Sequence, residues 1–347
     1  MFNIINNTPF QAATTVLMDQ RGDNLAVVAV KATFTIPFGK NAMELADNQL
    51  PPLFMEEYYD SPEKSGIKYP ADLVPGKPNT DVGLSGTVYS QYGKPVEKTD
   101  ASVQVDSLYK KIQVYGDRRW TKSLFSPGYK KTRPEPFDRM PLSCDRIFGG
   151  TDTDEKDHLI EYAPNPHGTG YIINKHHVGT AKLPNFEDPK QRITSWKTKP
   201  CPAHFGFSNP ASAPRAAFAG TYDDAWRKNQ FPLYPVDMDM RFFNCAQPEL
   251  IADGYLQGGE TVVLKHLSPD GLIRFTLPAT RIRLEFCIGK ESLYKKADLY
   301  TLMIEPDLKR FFMAWGTSIS CGDNFANLKY VAVEMLNNEE THHVKTH

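Results

Sequence analysis

Between residues 26 and 36 the even positions are Ala26, Val28, Val30, Ala32, Phe34 and Ile36, all apolar. The odd positions turn polar at Lys31, Thr33 and Thr35. A repeat of two is the mark of a β-strand with one buried face, because successive side chains point to opposite sides of a sheet. The pattern returns at Val82, Leu84, Gly86 and Val88. It returns again at Val103 and Val105, then Ile112 and Val114, which read as a hairpin around Asp106 and Ser107. Near the other end, Ile273, Phe275 and Leu277 alternate with polar neighbours, as do Ile282, Leu284, Phe286 and Ile288. Ser268-Pro269-Asp270-Gly271 and Glu305-Pro306-Asp307 supply turn chemistry between such runs. The stretch 325–336 fits a last strand or a short helix.

The middle, 116–254, lacks this regularity. Fifteen of the 27 prolines and three of the four tryptophans fall between 116 and 250. Proline has no N–H and a fixed φ, so it interrupts helices and central strands. A long structureless segment inside a compact domain is improbable, so the middle is expected to be ordered but irregular. Short helical turns are expected near 222–228 and 248–254. The fold class follows as mainly β. Antiparallel, sandwich-like β regions from the N- and C-terminal thirds are joined by a long Pro- and aromatic-rich middle with few short helices. Residues 1–336 are expected to form a single large domain, with 1–115 and 255–336 open to being subdomains bridged by 116–254. The polar stretch 337–347 is expected to be a flexible tail, and His342, His343 and His347 to be solvated there.

Composition narrows the function classes. Forty Lys and Arg stand against 41 Asp and Glu, a net charge of −1. Proteins that hold phosphate backbones carry a basic excess, so no nucleic-acid partner is expected, and the near-zero balance also argues against electrostatic docking on an anionic membrane. The longest apolar run, 25–30, is too short to span a bilayer. The first ten residues lack the charged and apolar regions of a signal peptide. Five scattered cysteines without a C-x-x-C pair fit reduced thiols, and the expectation is a cytoplasmic protein.

Catalytic signatures are sparse. No G-x-S-x-G elbow occurs. A phosphate loop ending at Gly76-Lys77 would need glycine where Ala71 stands, and Pro78 replaces its Ser or Thr. Gly168-Thr169-Gly170 reads as a turn. The pair His176-His177 lacks metal-ligand spacing. Asp237 and Asp239, with Asp223-Asp224 nearby, could serve acid–base sugar chemistry, or could tie down backbone N–H groups and pair with Arg241. No cofactor or metal is expected. Arginine and aromatic residues mingle at Arg118-Arg119-Trp120, at Trp226 and at Arg241-Phe242. Such mixtures anchor protein interfaces and also close the edges of cores. Arg118, Arg119, Trp120, Trp226, Arg241 and Phe242 are therefore the candidate protein-binding residues.

Several idiosyncratic strings occur in one order. They include Lys31-Ala32-Thr33-Phe34, Pro75-Gly76-Lys77-Pro78-Asn79-Thr80-Asp81-Val82 and Tyr115-Gly116-Asp117-Arg118-Arg119-Trp120. Phe148-Gly149-Gly150, Asn165-Pro166-His167-Gly168-Thr169-Gly170-Tyr171 and Gly220-Thr221-Tyr222-Asp223-Asp224-Ala225-Trp226 follow. Pro235-Val236-Asp237-Met238-Asp239-Met240-Arg241-Phe242-Phe243-Asn244 and Ile304-Glu305-Pro306-Asp307 close the series. Across about 2–320 this set resembles a bacterial domain-of-unknown-function family encoded beside type VI secretion genes, near VgrG spike, PAAR-type tip and toxin genes. Trp315-Gly316 departs from the Trp-Arg common in that family. The resemblance implies an adaptor or chaperone, not an enzyme, that binds a toxic effector and promotes its loading onto the VgrG or PAAR-type spike. It carries no catalytic residue and no oligomeric state. Two other readings stay open: a β-sandwich carbohydrate hydrolase using Asp237, Asp239 or Asp223, and a structural part that remains in the secretion machine.

Overall fold

The structure, a computed structural model, describes residues 3–39, 42–123 and 127–336. The expected tail at 337–347, with His342, His343 and His347, lies outside the described residues.

The architecture is mainly β, as the alternating pattern requires. Seven strands form the largest sheet in the order Asn3–Asn6, Leu328–Met335, Ile282–Ile288, Glu291–Glu305, Arg310–Ser320, Asn24–Thr35, Gln11–Met18, and Asp81–Leu84 joins from the side. The sheet curls into a nearly closed barrel. One long strand makes the corner. Residues 291–297 of Glu291–Glu305 pair with Ile282–Ile288, whereas residues 298–305 pair with Arg310–Ser320 and 301–304 with Asp81–Leu84. The register slips between Leu299 and Thr301, leaving Tyr300 as a bulge, a device that bends a strand. A Cβ on Gly316 would lie 2.4 Å from the Tyr300 ring. Gly316 is thus the floor on which the bulged tyrosine rests.

The strand Asn24–Thr35 corrects one expectation. Both of its faces are buried, not one. The even residues enter the main core, while Leu25, Val27 and Ala29 pack with Leu73 in a second cluster. The polar positions face protein. Lys31 Nζ lies 2.5 Å from Asp72 Oδ2, with both side chains almost fully buried, and sits 4.5 Å from the Phe312 ring centroid. Gln49 Oε1 accepts from the Thr33 N–H, and Gln49 Nε2 donates to the Thr33 carbonyl. Segment 44–50 therefore substitutes for a neighbouring strand, which satisfies buried backbone groups that would otherwise be costly.

A second sheet has the order Phe186–Glu187, Leu108–Tyr115, Lys98–Val105, Thr261–Lys265, Leu272–Thr276. Its hairpin turns at Asp106, whose φ of 47° suits a tight turn. Val103, Ile112, Leu264 and Phe275 share the barrel's core, and Phe275 stacks on Phe311 at 5.1 Å. Strands from 1–115 and from 255–336 are neighbours in both sheets, so neither interval owns a sheet. Most pairing is antiparallel, but Asn3–Asn6, Asp81–Leu84 and Phe148–Gly149 each pair in parallel with a partner strand.

The middle holds short strands, 3-10 turns and, among the described residues, one α-helix, Asp224–Asn229. The second expected turn is the 3-10 segment Pro248–Leu250. A small core of its own gathers Trp120, Phe148, Ile172, Val178, Leu183 and Ile193.

Candidate functional site

An exposed aromatic group lies on segment 218–244, and local hydrogen bonds hold it in shape. Asp223 caps the Asp224–Asn229 helix by accepting from the Trp226 N–H at 2.7 Å. Asp237 accepts from the N–H and the hydroxyl of Thr221 at 3.0 and 2.8 Å, closing the loop on itself. Trp226 donates from Nε1 to the Leu233 carbonyl and meets Tyr222 and Phe231 edge-on, with centroids 4.7 and 5.7 Å away. Two glutamines tie the loop to the turn between the strands Gln11–Met18 and Asn24–Thr35. Gln20 Nε2 donates to the carbonyls of Pro235 and Met238, and Gln230 Nε2 donates to the Gln20 carbonyl at 2.6 Å. Outward from this brace stand Tyr222, Phe231 and Val236, exposed to 54%, 67% and 76%. Aromatic side chains already held rigid lose little entropy when a partner covers them.

Asp239 starts the 3-10 turn Met240–Phe243 by accepting from the Arg241 N–H, and its Oδ2 also takes Arg241 Nη2 at 2.6 Å. The Arg241 guanidinium lies 4.2 Å from the Phe218 ring centroid. Those bonds, the Arg241 side chain first, hold the Asp239 carboxyl below the usual range. The Thr221 N–H does the same for Asp237. Asp223, Asp237 and Asp239 are thus all committed to backbone and neighbouring side chains.

Of the six candidate contact residues, Trp226, Arg241 and Phe242 come together on this segment. Arg241 is exposed, and Trp226 and Phe242 are half-buried. Phe242 lies under the Arg215 guanidinium and gives its carbonyl to Arg215 Nε. The other three sit apart on the strand Arg118–Lys122. Arg118 is buried, with Nη2 donating to Glu187 Oε1 and the Pro184 carbonyl at 2.8 Å each, over the Tyr115 ring. Trp120 is buried in the small core. Arg119, between them in a strand, points the other way and is exposed. The reading of 118–120 as an exposed anchor therefore applies to Arg119 alone, since the period of two turns its neighbours inward. Nothing in the sequence marks Tyr222, Phe231 and Val236 as exposed, because an aperiodic loop carries no signal of which side chains face water.

Two other features hold polar groups. His177 Nδ1 lies 2.6 Å from Asp152 Oδ1, and Asp152 Oδ2 accepts from the N–H groups of Ile173 and Asn174. His176 and His177 lie in the 3-10 segment Lys175–Thr180. They border an open cleft of about 550 Å³ with Gly150, Thr169 and His167. A tighter cavity of about 70 Å³ is bounded by Tyr59, Cys144, Asn165, Phe207 and half-buried His204. Gln247 Nε2 lies 2.8 Å from His204 Nε2. Burial, then the Lys110 charge, lowers the His204 pKa to about 4. Among the described residues no three His, Cys, Asp or Glu side chains gather as a metal site.

A family model described as an uncharacterized protein conserved in bacteria (DUF2169) matches residues 21–316. No curated protein and no solved structure matches the chain.

Proposed function

The chain belongs to this conserved bacterial family, and we propose that it is a non-enzymatic adaptor that binds a toxic effector and promotes its loading onto a type VI secretion spike of the VgrG or PAAR type. The secretion context rests on the ordered strings from Lys31 to Asp307 and the family they resemble. One observation supports a binding role: Tyr222, Phe231 and Val236 project from a loop braced by Gln20, Gln230, Asp223 and Asp237. Arg241 on Phe218 lies on the same segment. Large aromatics and arginine supply most binding energy where a partner covers them.

No helix among the described residues is long and apolar enough to cross a membrane, and the proposed site of action is the cytoplasm. A sugar hydrolase would need a free acid and base among Asp223, Asp237 and Asp239. Their ties to Trp226, Thr221 and Arg241 favour the adaptor reading.

Co-expression with the neighbouring toxin and spike genes, followed by tag capture and size exclusion, tests the proposal. A stable complex is expected, together with a toxin that is less soluble when expressed alone. Tyr222→Ala with Phe231→Ala should weaken capture by about tenfold or more while the thermal melt stays unchanged. A soluble toxin and no complex with any of these partners would overturn the reading. Stoichiometric retention in purified spikes would instead favour a structural part.

A further inference from the structure

The strand Leu272–Thr276 is the last in its sheet, paired on one side only, with Thr261–Lys265. Hydrogen bonding alternates along an antiparallel pair. The His266 N–H donates to the Gly271 carbonyl and the Leu277 N–H to the Glu260 carbonyl. Residues 271, 273, 275 and 277 therefore bond inward. The N–H and C=O groups of Leu272, Arg274 and Thr276 point away from the sheet, where no strand or bridge among the described residues meets them.

A second observation concerns the space beside this edge. A cleft of about 320 Å³ runs along it, bounded by Pro37, Phe38 and Gly39 on one side and Asp270, Leu272 and Arg274 on the other. Leu272 is 61% exposed at its mouth. Open edges are usually blunted by lysine, proline, a bulge or a covering loop. Here only Arg274 lies within the strand, while Pro269 and Pro278 stand just beyond its ends. That leaves one short open stretch, suited to a single added strand. The other edges of the two large sheets are less suited. Asn3–Asn6 and Gln11–Met18 adjoin across the barrel seam, and Phe186–Glu187 is two residues long.

We propose that the toxic effector adds an extended segment of about five residues as a further strand along Leu272–Thr276. This rests on the adaptor reading and names how the cargo is held. Main-chain groups of Leu272, Arg274 and Thr276 supply the hydrogen bonds. The partner's alternate side chains turn toward Phe38 and the row of Ile273 and Phe275, so a segment with apolar residues at every second position fits.

The test compares Arg274→Pro with Arg274→Ala in capture of the co-expressed toxin, with spike capture read separately. The Arg274 N–H points outward, so proline there removes no native hydrogen bond and is tolerated on an edge strand. Arg274→Pro should keep the wild-type melt yet weaken capture by about tenfold or more, while Arg274→Ala stays within about threefold. A folded Arg274→Pro variant that captures as well as wild type overturns the edge proposal and leaves the adaptor reading standing. Wild-type protein that captures none of these partners overturns both. Should Arg274→Pro fail to fold, amide exchange on the wild-type complex decides: slowing at Leu272, Arg274 and Thr276 supports the added strand, and unchanged exchange rejects it.

Discussion

At the scale of single residues, the polar side chains inside the core carry the sharpest consequences. Asp72 Oδ2 receives both Lys31 and the Leu53 N–H, while its Oδ1 has no hydrogen-bond partner among the described residues. Removing one member of a buried pair strands the other charge, and Lys31→Met should cost about 3–5 kcal/mol. Lys31→Met with Asp72→Leu should cost much less, because the ions then leave together. Urea denaturation of the two single variants and the double variant checks this. His204 gives a pH prediction. Its folded pKa of about 4 lies below the ordinary 6.5, so the unfolded chain binds the extra proton between those values. Stability is whole above pH 6.5 and falls as pH drops toward 4, by about 1–3 kcal/mol. His204→Gln should flatten that part of the stability–pH curve, measured by denaturation at pH 7 and 4.5. The residues themselves are plain in the sequence. Their burial is not, because Lys31 occupies a position that alternation alone assigns to solvent.

At the scale of elements, close backbone approach decides more than propensity. Gly149 has φ 155°, and a Cβ there would lie 2.0 Å from the Asn165 carbonyl oxygen. Gly149→Ala must displace Asn165, whose carbonyl accepts from the Gly150 N–H, at a cost of about 1–3 kcal/mol or more, read from the denaturation midpoint. The braced loop should behave locally. Asp223→Ala removes the helix cap and should ease opening of 220–238 by about 1 kcal/mol. Faster amide exchange at Trp226 with an unchanged global midpoint is the expected result. Both segments are conspicuous as strings, Phe148-Gly149-Gly150 and Tyr222-Asp223-Asp224-Ala225-Trp226. What they do depends on Asn165, Leu233 and Gln20, which are distant in sequence or silent in pattern.

For the whole molecule, the shared sheets predict one cooperative transition. Strands of 1–115 pair with strands of 255–336 in both sheets, so each interval alone would expose apolar faces and unpaired edges. Expressed separately, 1–115 and 255–336 should lack dispersed amide signals in NMR spectra, and the full chain should lose its far-UV and near-UV signals at one temperature. Independent folding of either fragment would refute this. The sequence by itself determined the β class, the hairpin at Asp106 and the turns at 268–271 and 305–307. Those depend on the period of two and on turn chemistry, which are properties of adjacent residues. Only the tertiary structure decided that Asn24–Thr35 is covered on both faces and that three strand pairs run parallel. It also decided that Arg118 and Trp120 point inward while Tyr222, Phe231 and Val236 point out. Pairing and burial join residues tens to hundreds of positions apart, and the choice among pairings is made by packing that no local pattern encodes.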